Sequence, residues 1–171
     1  MNEIGARIPK SILAECERVI NNNKNVKIFY YNVDEFLALD DETIGRLIEE
    51  VVNDVIDPIM KIKGVGLSRA TKILHTVYPS IIPMIDSMLQ EAYIQTKSDA
   101  RWTENDYSQI FFAYYRNLKE QPTKNSLAEV YNDVSKNLHG LTKVRVFDII
   151  WWSYLKANGL KEKKGINWST I

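Results

Sequence analysis

Apolar residues recur at helical spacing along almost the whole chain, and this periodicity predicts a fold built from helices. The clearest segment begins after Asp40 or Asp41, either of which can cap a helix. It is expected to end before Pro58, because the residue preceding a proline disfavours the helical conformation. Its apolar face comprises Ile44, Leu47, Ile48, Val51, Val52 and Val55. The sequence therefore predicts an all-α fold, a multi-helix orthogonal bundle, in which residues 1–171 form a single compact unit.

Residues 26–39 fit two patterns. Val26, Ile28 and Tyr30 alternate as in a strand. Val33, Phe36 and Leu37 instead fit a helical turn. The helical interpretation is favoured.

Two aromatic clusters also have alternative interpretations. The aromatic residues between Tyr107 and Tyr115 could stack on bases, but their helical spacing favours packing in the core. Trp151 and Trp152 are adjacent, so both cannot face the interior from one helix. One of them is expected to face a cleft, a partner or solvent.

Composition narrows the chemistry available to the chain. One Cys and two His are too few for an internal disulfide, a tetrahedral zinc site or a four-cysteine iron–sulfur cluster. No stretch approaches the roughly 20 apolar residues that cross a bilayer, and residues 1–10 lack the layout of a signal peptide. The expectation is a cytoplasmic protein with few cofactors and no membrane contact.

The charge of the chain is unevenly distributed. The total is zero, with 22 basic and 22 acidic side chains. Residues 1–60 carry 6 basic and 12 acidic side chains, a net charge of −6, whereas residues 61–171 carry 16 and 10, a net charge of +6. A zero total argues against a nucleic-acid partner, because such proteins usually carry a basic surface. The basic second half is compatible with an anionic partner, although solvated charge is the commoner explanation.

The most informative segment is the glycine turn within residues 58–79, which lies between two expected helices. Glycines at Gly64 and Gly66 permit backbone conformations that a Cβ forbids. The turn also exposes amide N–H groups at the start of the next helix, and these groups favour phosphate binding. The helix is expected to pack Leu67, Ala70, Ile73, Leu74 and Val77 inward. Four cations surround the turn: Lys61, Lys63, Arg69 and Lys72.

Three alternative interpretations of this turn are available. A dinucleotide-binding fingerprint needs a glycine where Arg69 stands, and a strand before the turn. A P-loop needs Gly-Lys-Ser or Gly-Lys-Thr at its end, which is absent here. In the third interpretation the turn is a plain connector between helices, in which glycine serves only the geometry.

The two glycines, the small Ala70 and the flanking lysines resemble the helix–hairpin–helix motif, which holds a DNA backbone without reading its sequence. Eighteen residues after Ser68, a proline-containing loop ends in Asp86. Motif and spacing together resemble the helix–hairpin–helix/Gly-Pro-Asp (HhH-GPD) superfamily of DNA glycosylases over residues 60–89. The pattern is most similar to the adenine glycosylase branch, where a serine also stands at the position of Ser68. This chain lacks the cysteines of the iron–sulfur cluster that many of those relatives carry.

The resemblance implies a monofunctional DNA glycosylase for base excision, which hydrolyses the N-glycosidic bond of a damaged or mispaired base flipped out of the duplex. Asp86 would be the catalytic carboxylate, stabilising an oxocarbenium-like sugar or assisting the attack of water. Ser68 stands where bifunctional members carry the lysine that forms a Schiff base, although Lys72 lies one turn along the same face. The residues implied in DNA-backbone binding are Lys61, Lys63, Gly64, Gly66, Ser68, Arg69 and Lys72.

The resemblance also implies a bound ion. In family members, the backbone carbonyls that match Met60, Ile62 and Val65 hold a monovalent cation, Na⁺ or K⁺, which bridges to the DNA.

Other functions stay open at this point. Asp86 precedes a helical run and would serve equally well as an N-cap. The hairpin could hold DNA or RNA without catalysis, or be a structural part of a protein-interaction domain. His75 is expected to be partly buried packing. The sequence indicates neither the base that is removed nor the oligomeric state.

Overall fold

Helices form nearly all of the regular structure in the computed structural model, which describes residues 8–90, 107–120, 127–137 and 140–158. No strand occurs among these residues, so the predicted all-α fold is confirmed. None of the described helices is long and apolar enough to cross a membrane. The helices are α1 (Lys10–Asn22), α2 (Val33–Leu37), α3 (Asp41–Val51), α4 (Asp57–Met60), α5 (Leu67–Val77), α6 (Tyr107–Lys119), α7 (Leu127–Asn137) and α8 (Lys143–Asn158).

Residues 26–39 contain two short helical segments joined by the extended Tyr31 and Asn32, so the favoured helical interpretation holds for most of this stretch. A 3₁₀ turn, Lys27–Tyr30, is followed by α2. The Asn32 side chain accepts from the Glu35 N–H at 3.0 Å, and the Glu35 carboxylate accepts from the Asn32 N–H at 2.9 Å. This reciprocal capping box stabilises a helix of only 5 residues.

The helix that begins at α3 does not end before Pro58, so that prediction was wrong. Instead, α3 runs into a π-helical turn, Val52–Ile56, and then into α4, which contains Pro58. At the end of the π turn the Asp57 N–H bonds the Val52 carbonyl, one residue further back than in an α-helix. This widening displaces the carbonyls that a proline ring would otherwise contact, and the helix continues through the proline.

One cluster of buried apolar side chains connects the helices. α6 packs against α3, α7 packs against α8, and α5 contacts both α4 and the π turn. Phe111, Tyr114 and Tyr115 of α6 are buried in this cluster, which confirms the predicted packing role of these aromatic residues. Trp151 is buried whereas Trp152 is 40% exposed, so the second of the adjacent tryptophans is the one that faces outward.

The buried face of α5 is rotated from its prediction. Val77 is 50% exposed, so its predicted inward position was wrong. Thr71 and His75 are buried instead. The buried face of the helix therefore includes these two residues, and Val77 lies at its edge. The buried residues of α5 are Leu67, Ala70, Thr71, Ile73, Leu74 and His75.

Candidate functional site

The turn between α4 and α5, residues 61–66, is fixed by Arg69. Gly64 has a φ of +86°, in the left-handed region that favours glycine. Gly66 has a φ of −99°, which any residue adopts, so the expected need for glycine applies to Gly64 alone. The Gly64 carbonyl accepts from Arg69 Nη1 at 2.5 Å. Arg69 therefore has a structural contact within the turn, in addition to the phosphate contact predicted for it.

The first turn of α5 begins at Gly66, the N-cap, which provides no side-chain cap for the helix amides. The Arg69 and Ala70 N–H groups bond the Gly66 carbonyl at 3.0 Å, so Leu67 and Ser68 carry the first-turn amides that have no intrahelical partner. A Cβ built on Gly66 would meet no atom within 4 Å, so the space beside these amides is open. Lys61 and Lys63 are exposed and Lys72 is half-buried. Among the described residues, no carboxylate forms an ion pair with these three lysines.

The carbonyls predicted to hold a monovalent cation lie in or next to this turn. Met60 is the last residue of α4, and the Ile62 carbonyl accepts from the Val65 N–H at 3.0 Å. The cation itself stays a prediction. In the described part of the chain, no group of three or more His, Cys, Asp and Glu side chains could hold a metal ion.

After α5 the chain follows an irregular path through residues 81–86, which we call the Asp86 loop. Ile81, Ile82, Pro83 and Ile85 are buried, although the loop has no regular secondary structure. Buried backbone groups need hydrogen-bond partners. Side chains from three surrounding helices supply those partners.

Two carbonyls of the Asp86 loop are held by buried side chains. The Tyr115 hydroxyl of α6 donates to the Ile81 carbonyl. The imidazole Nδ1 of His75 lies 2.6 Å from the Ile82 carbonyl. Because a carbonyl only accepts, Nδ1 carries the proton. Burial lowers the pKa of His75, which favours the neutral ring. The expected packing role of His75 is confirmed, and the ring also positions the loop.

The end of the loop is linked to the start of α5. The Ile85 N–H donates to Thr71 Oγ1 at 3.1 Å, and Thr71 is fully buried. The same hydroxyl lies 3.4 Å from the Ser68 carbonyl in the first turn of α5. Thr71 therefore fixes the residue before Asp86 relative to the first turn of α5.

Asp148 on α8 is a buried carboxyl group that also holds the loop. The residue is only 2% exposed. Oδ2 accepts from the Met84 N–H at 3.0 Å, and Oδ1 lies 2.8 Å from the Tyr114 hydroxyl. Burial raises the pKa of Asp148 to about 7, and the charge of Asp86 adds to this effect. The hydrogen bonds from Met84 and Tyr114 act in the opposite direction.

Asp86 is half-buried and begins the helical turn at residues 87–90. Its Oδ1 accepts from the Leu89 N–H at 2.9 Å, so the predicted N-cap role is confirmed. Among the described residues, its other carboxylate oxygen has no hydrogen-bond partner. The capping bond to Leu89 fixes the orientation of the Asp86 side chain.

A family model covers most of the chain and all of these residues. Residues 32–155 match the model of a family of unknown function, DUF6308. The chain belongs to this family. No curated protein and no solved structure matches the chain.

The DUF6308 segment contains the glycine turn, the Asp86 loop and Asp148, whereas α1 lies before it. Sequence reasoning found Asp86 but missed Asp148. The available signal was an acidic residue among Val144, Phe147 and Trp151 on an otherwise apolar helix face, a position that polar residues rarely occupy unless they are bonded. Thr71 gave no such signal, because a threonine at the border of an amphipathic helix is ordinary.

In this member of DUF6308 the arrangement brings together two carboxyl groups with different environments. Asp148 is buried with both oxygens bonded, whereas Asp86 is half-buried and has one oxygen bonded to the Leu89 N–H. Pairs of titratable groups in such contrasting surroundings are typical of sites that bind or transform a ligand, because each group can take a different role.

Proposed function

We propose that the chain binds duplex DNA through the glycine turn and hydrolyses the N-glycosidic bond of a flipped-out base, with Asp86 as the catalytic carboxylate. The observation that carries this proposal is the fixed position of Asp86 beside α5. Thr71 contacts both the Ile85 N–H and the Ser68 carbonyl. A phosphate bound at the first turn of α5 would hold the adjoining nucleotide near Asp86, and such positioning supports catalysis.

The glycine turn has the features of a backbone-binding site. Accessible amides at a helix N-terminus favour a phosphate. No described carboxylate forms an ion pair with Lys61, Lys63 or Lys72. Their positive charges can therefore attract an external anion. By contrast, Lys119 and Lys143 each pair with an aspartate. The three turn lysines would contact the charged phosphates of the backbone and not the bases, so binding would be independent of the DNA sequence.

The two oxygens of Asp86 suit two separate tasks. The oxygen that caps residues 87–90 fixes the orientation of the side chain. The other oxygen can direct negative charge at an oxocarbenium-like sugar, or accept a proton from attacking water. Because Ser68 stands where bifunctional glycosylases carry a lysine, water is the nucleophile in this proposal and the reaction is monofunctional.

Asp86→Asn tests the catalytic role. An asparagine caps a helix about as well as an aspartate, so the fold and DNA affinity should be retained. The amide can neither carry the charge nor accept the proton, so base release should fall at least ~100-fold. The substrates are duplexes that contain uracil, alkylated, oxidised or mispaired bases. The readout is strand cleavage at the abasic site by hot alkali, because a monofunctional enzyme leaves the strand itself intact.

The matched control is Asp40→Asn. Asp40 caps α3 by accepting from the Thr43 N–H at 2.8 Å, which confirms its predicted cap and copies the structural role of Asp86. Base release by Asp40→Asn should equal that of the wild type. The proposal fails if every duplex in the panel stays intact, or if both variants retain full activity.

The second candidate is a binding module that holds DNA or RNA without catalysis. The observation that favours it is the capping bond from Asp86 to the Leu89 N–H, which gives this residue a structural reason to be present. In that case Asp86→Asn changes nothing, while the loss of lysines at the turn weakens binding. An RNA duplex of the same sequence, used as competitor, separates the two nucleic acids. Either function would place the chain in the cytoplasm, associated with the nucleoid when bound.

A further inference from the structure

The hydrogen bonds around Asp148 hold the Asp86 loop. The Met84 N–H donates to Oδ2 at 3.0 Å, and the Tyr114 hydroxyl of α6 lies 2.8 Å from Oδ1. Both oxygens of this carboxyl group are therefore bonded, although the residue is only 2% exposed. Asp148 connects α8 to the backbone of the loop two residues before Asp86.

Several titratable groups face Asp148, and they act in both directions. Burial is the largest influence and raises its pKa, as does the negative charge of Asp86. Arg145, on the same helix, lowers the pKa of Asp148. From α6, the pKa of Tyr115 is raised by its own burial and by Asp148, so this phenol stays neutral. From α5, burial lowers the pKa of His75 and favours its neutral form.

Arg145 does not neutralise Asp148 through an ion pair. Its Nη1 lies 3.3 Å from the sulfur of Met84, and among the described residues it forms no salt bridge. A buried carboxyl group without a cationic partner is costly to ionise. Burial without a cationic partner therefore favours the protonated form of Asp148.

We propose that Asp148 is a positioning residue for Asp86: its protonated carboxyl holds Met84, and with it the Asp86 loop, and leaves Asp86 as the charged member of the pair. Ionisation of Asp148 would place a second negative charge near Asp86, at a buried position where water does not solvate it. The loop would then open more readily. The inference rests on the proposed function only for what Asp86 does, since the hold on the loop is independent of catalysis.

Asp148→Asn tests this role. A carboxamide can copy the protonated acid, because its nitrogen donates to Tyr114 and its oxygen accepts from Met84, but it does not ionise. The measurement is amide hydrogen exchange of Met84 and Ile85 between pH 4.5 and 8.5, corrected for the intrinsic exchange rate. In the wild type, the equilibrium constant for opening of the loop should increase by up to about tenfold per pH unit. It should level off once the pH exceeds the pKa of Asp148. In Asp148→Asn this dependence should be absent.

Asp54→Asn is the control, since Asp54 is exposed and forms no ion pair among the described residues. It should keep the wild-type pH dependence. Tyr114→Phe is the second variant, which keeps the carboxyl group. Because the Tyr114 hydroxyl lowers the pKa of Asp148, its removal should move the plateau to higher pH. A carbon-13 spectrum that shows Asp148 ionised at pH 5.5 in the wild type would overturn the inference.

The outcomes separate this inference from the proposed function. If no duplex loses a base but Asp148→Asn abolishes the pH dependence of loop opening, the glycosylase proposal fails and the positioning role stands. If Asp86→Asn abolishes base release while Asp148→Asn keeps the wild-type pH dependence, the opposite holds. Where base release is detected, the alkaline limb of its pH–rate profile should shift in Asp148→Asn. Loss of packing alone would not produce this shift.

Discussion

The N–H of Ile85 donates to the hydroxyl of Thr71 at 3.1 Å, and both residues are buried. Through this bond, a helix that begins at the glycine turn fixes the residue that precedes Asp86. The Thr71 side chain thus links the helix of the candidate phosphate site directly to the residue before the candidate carboxylate.

Thr71→Val replaces the hydroxyl with a methyl group of similar size. It should lower the free energy of unfolding by about 1–3 kcal/mol, because the Ile85 N–H loses its partner while it stays buried. Thr71→Ser keeps the hydroxyl and is the matched control. Urea denaturation measures both variants. Equal destabilisation of the two would indicate that the methyl group, and not the hydrogen bond, matters at this position.

The pKa of Asp148 predicts how stability changes with pH. Since the folded state holds a proton that the unfolded state releases at a pKa near 3.8, stability should fall as the pH rises from about 4 to about 7, and level off above 7. The interval from 3.8 to about 7 corresponds to a loss of ~4 kcal/mol at most, at 1.36 kcal/mol per pH unit. Urea denaturation at a series of pH values should show this slope in the wild type, and a smaller slope in Asp148→Asn. Identical slopes would mean that Asp148 is ionised in the folded protein.

The two glycines of the turn should respond differently to alanine. Gly64→Ala forces a Cβ into the left-handed region at φ +86°, and should cost about 1–2 kcal/mol of unfolding free energy. Gly66→Ala meets open space and an ordinary conformation, so its stability should be close to that of the wild type. Its methyl group would nevertheless stand beside the amides of α5, and DNA affinity should decrease. A Gly66→Ala protein that binds DNA as the wild type does would remove these amides from the proposed interface.

The lysines at the turn should determine the salt dependence of DNA binding. Lys63→Ala combined with Lys72→Ala should weaken binding and reduce the slope of log affinity against log salt by up to ~2, about one for each lost phosphate contact. Lys24→Ala with Lys27→Ala removes the same charge from two exposed positions in the acidic half, and should change the slope less. Fluorescence anisotropy with a labelled duplex at several salt concentrations measures both pairs. Equal slopes would exclude the turn as the contact surface.

The helical fold followed from the sequence because its cause is local. The apolar face of α3 and the cap at Asp40 are set by neighbours within one or two turns. The passage through Pro58 was not predicted, since a proline normally breaks the hydrogen-bonding pattern and nothing in its neighbours signals a π turn.

The candidate site was only partly predictable for a related reason. Asp86 could be identified from a motif and its spacing within the chain. Its loop is held by contacts that span long distances in sequence, such as Met84 with Asp148 and Ile81 with Tyr115. No periodicity in a single sequence reports such pairs, and only the folded chain brings them together.

The π turn ahead of Pro58 has a consequence for how the chain tolerates insertions and deletions. A π turn is equivalent to one extra residue within an α-helix, and each residue of an α-helix turns the chain by about 100°. Deletion of one residue between Val52 and Ile56 would restore a regular helix and rotate everything after it by roughly that angle. The glycine turn, with Lys61 and Lys63, would then face a different direction relative to α3. The direction in which the basic turn faces is therefore set by a one-residue length difference in the preceding helix, several residues away from any group that would touch a ligand.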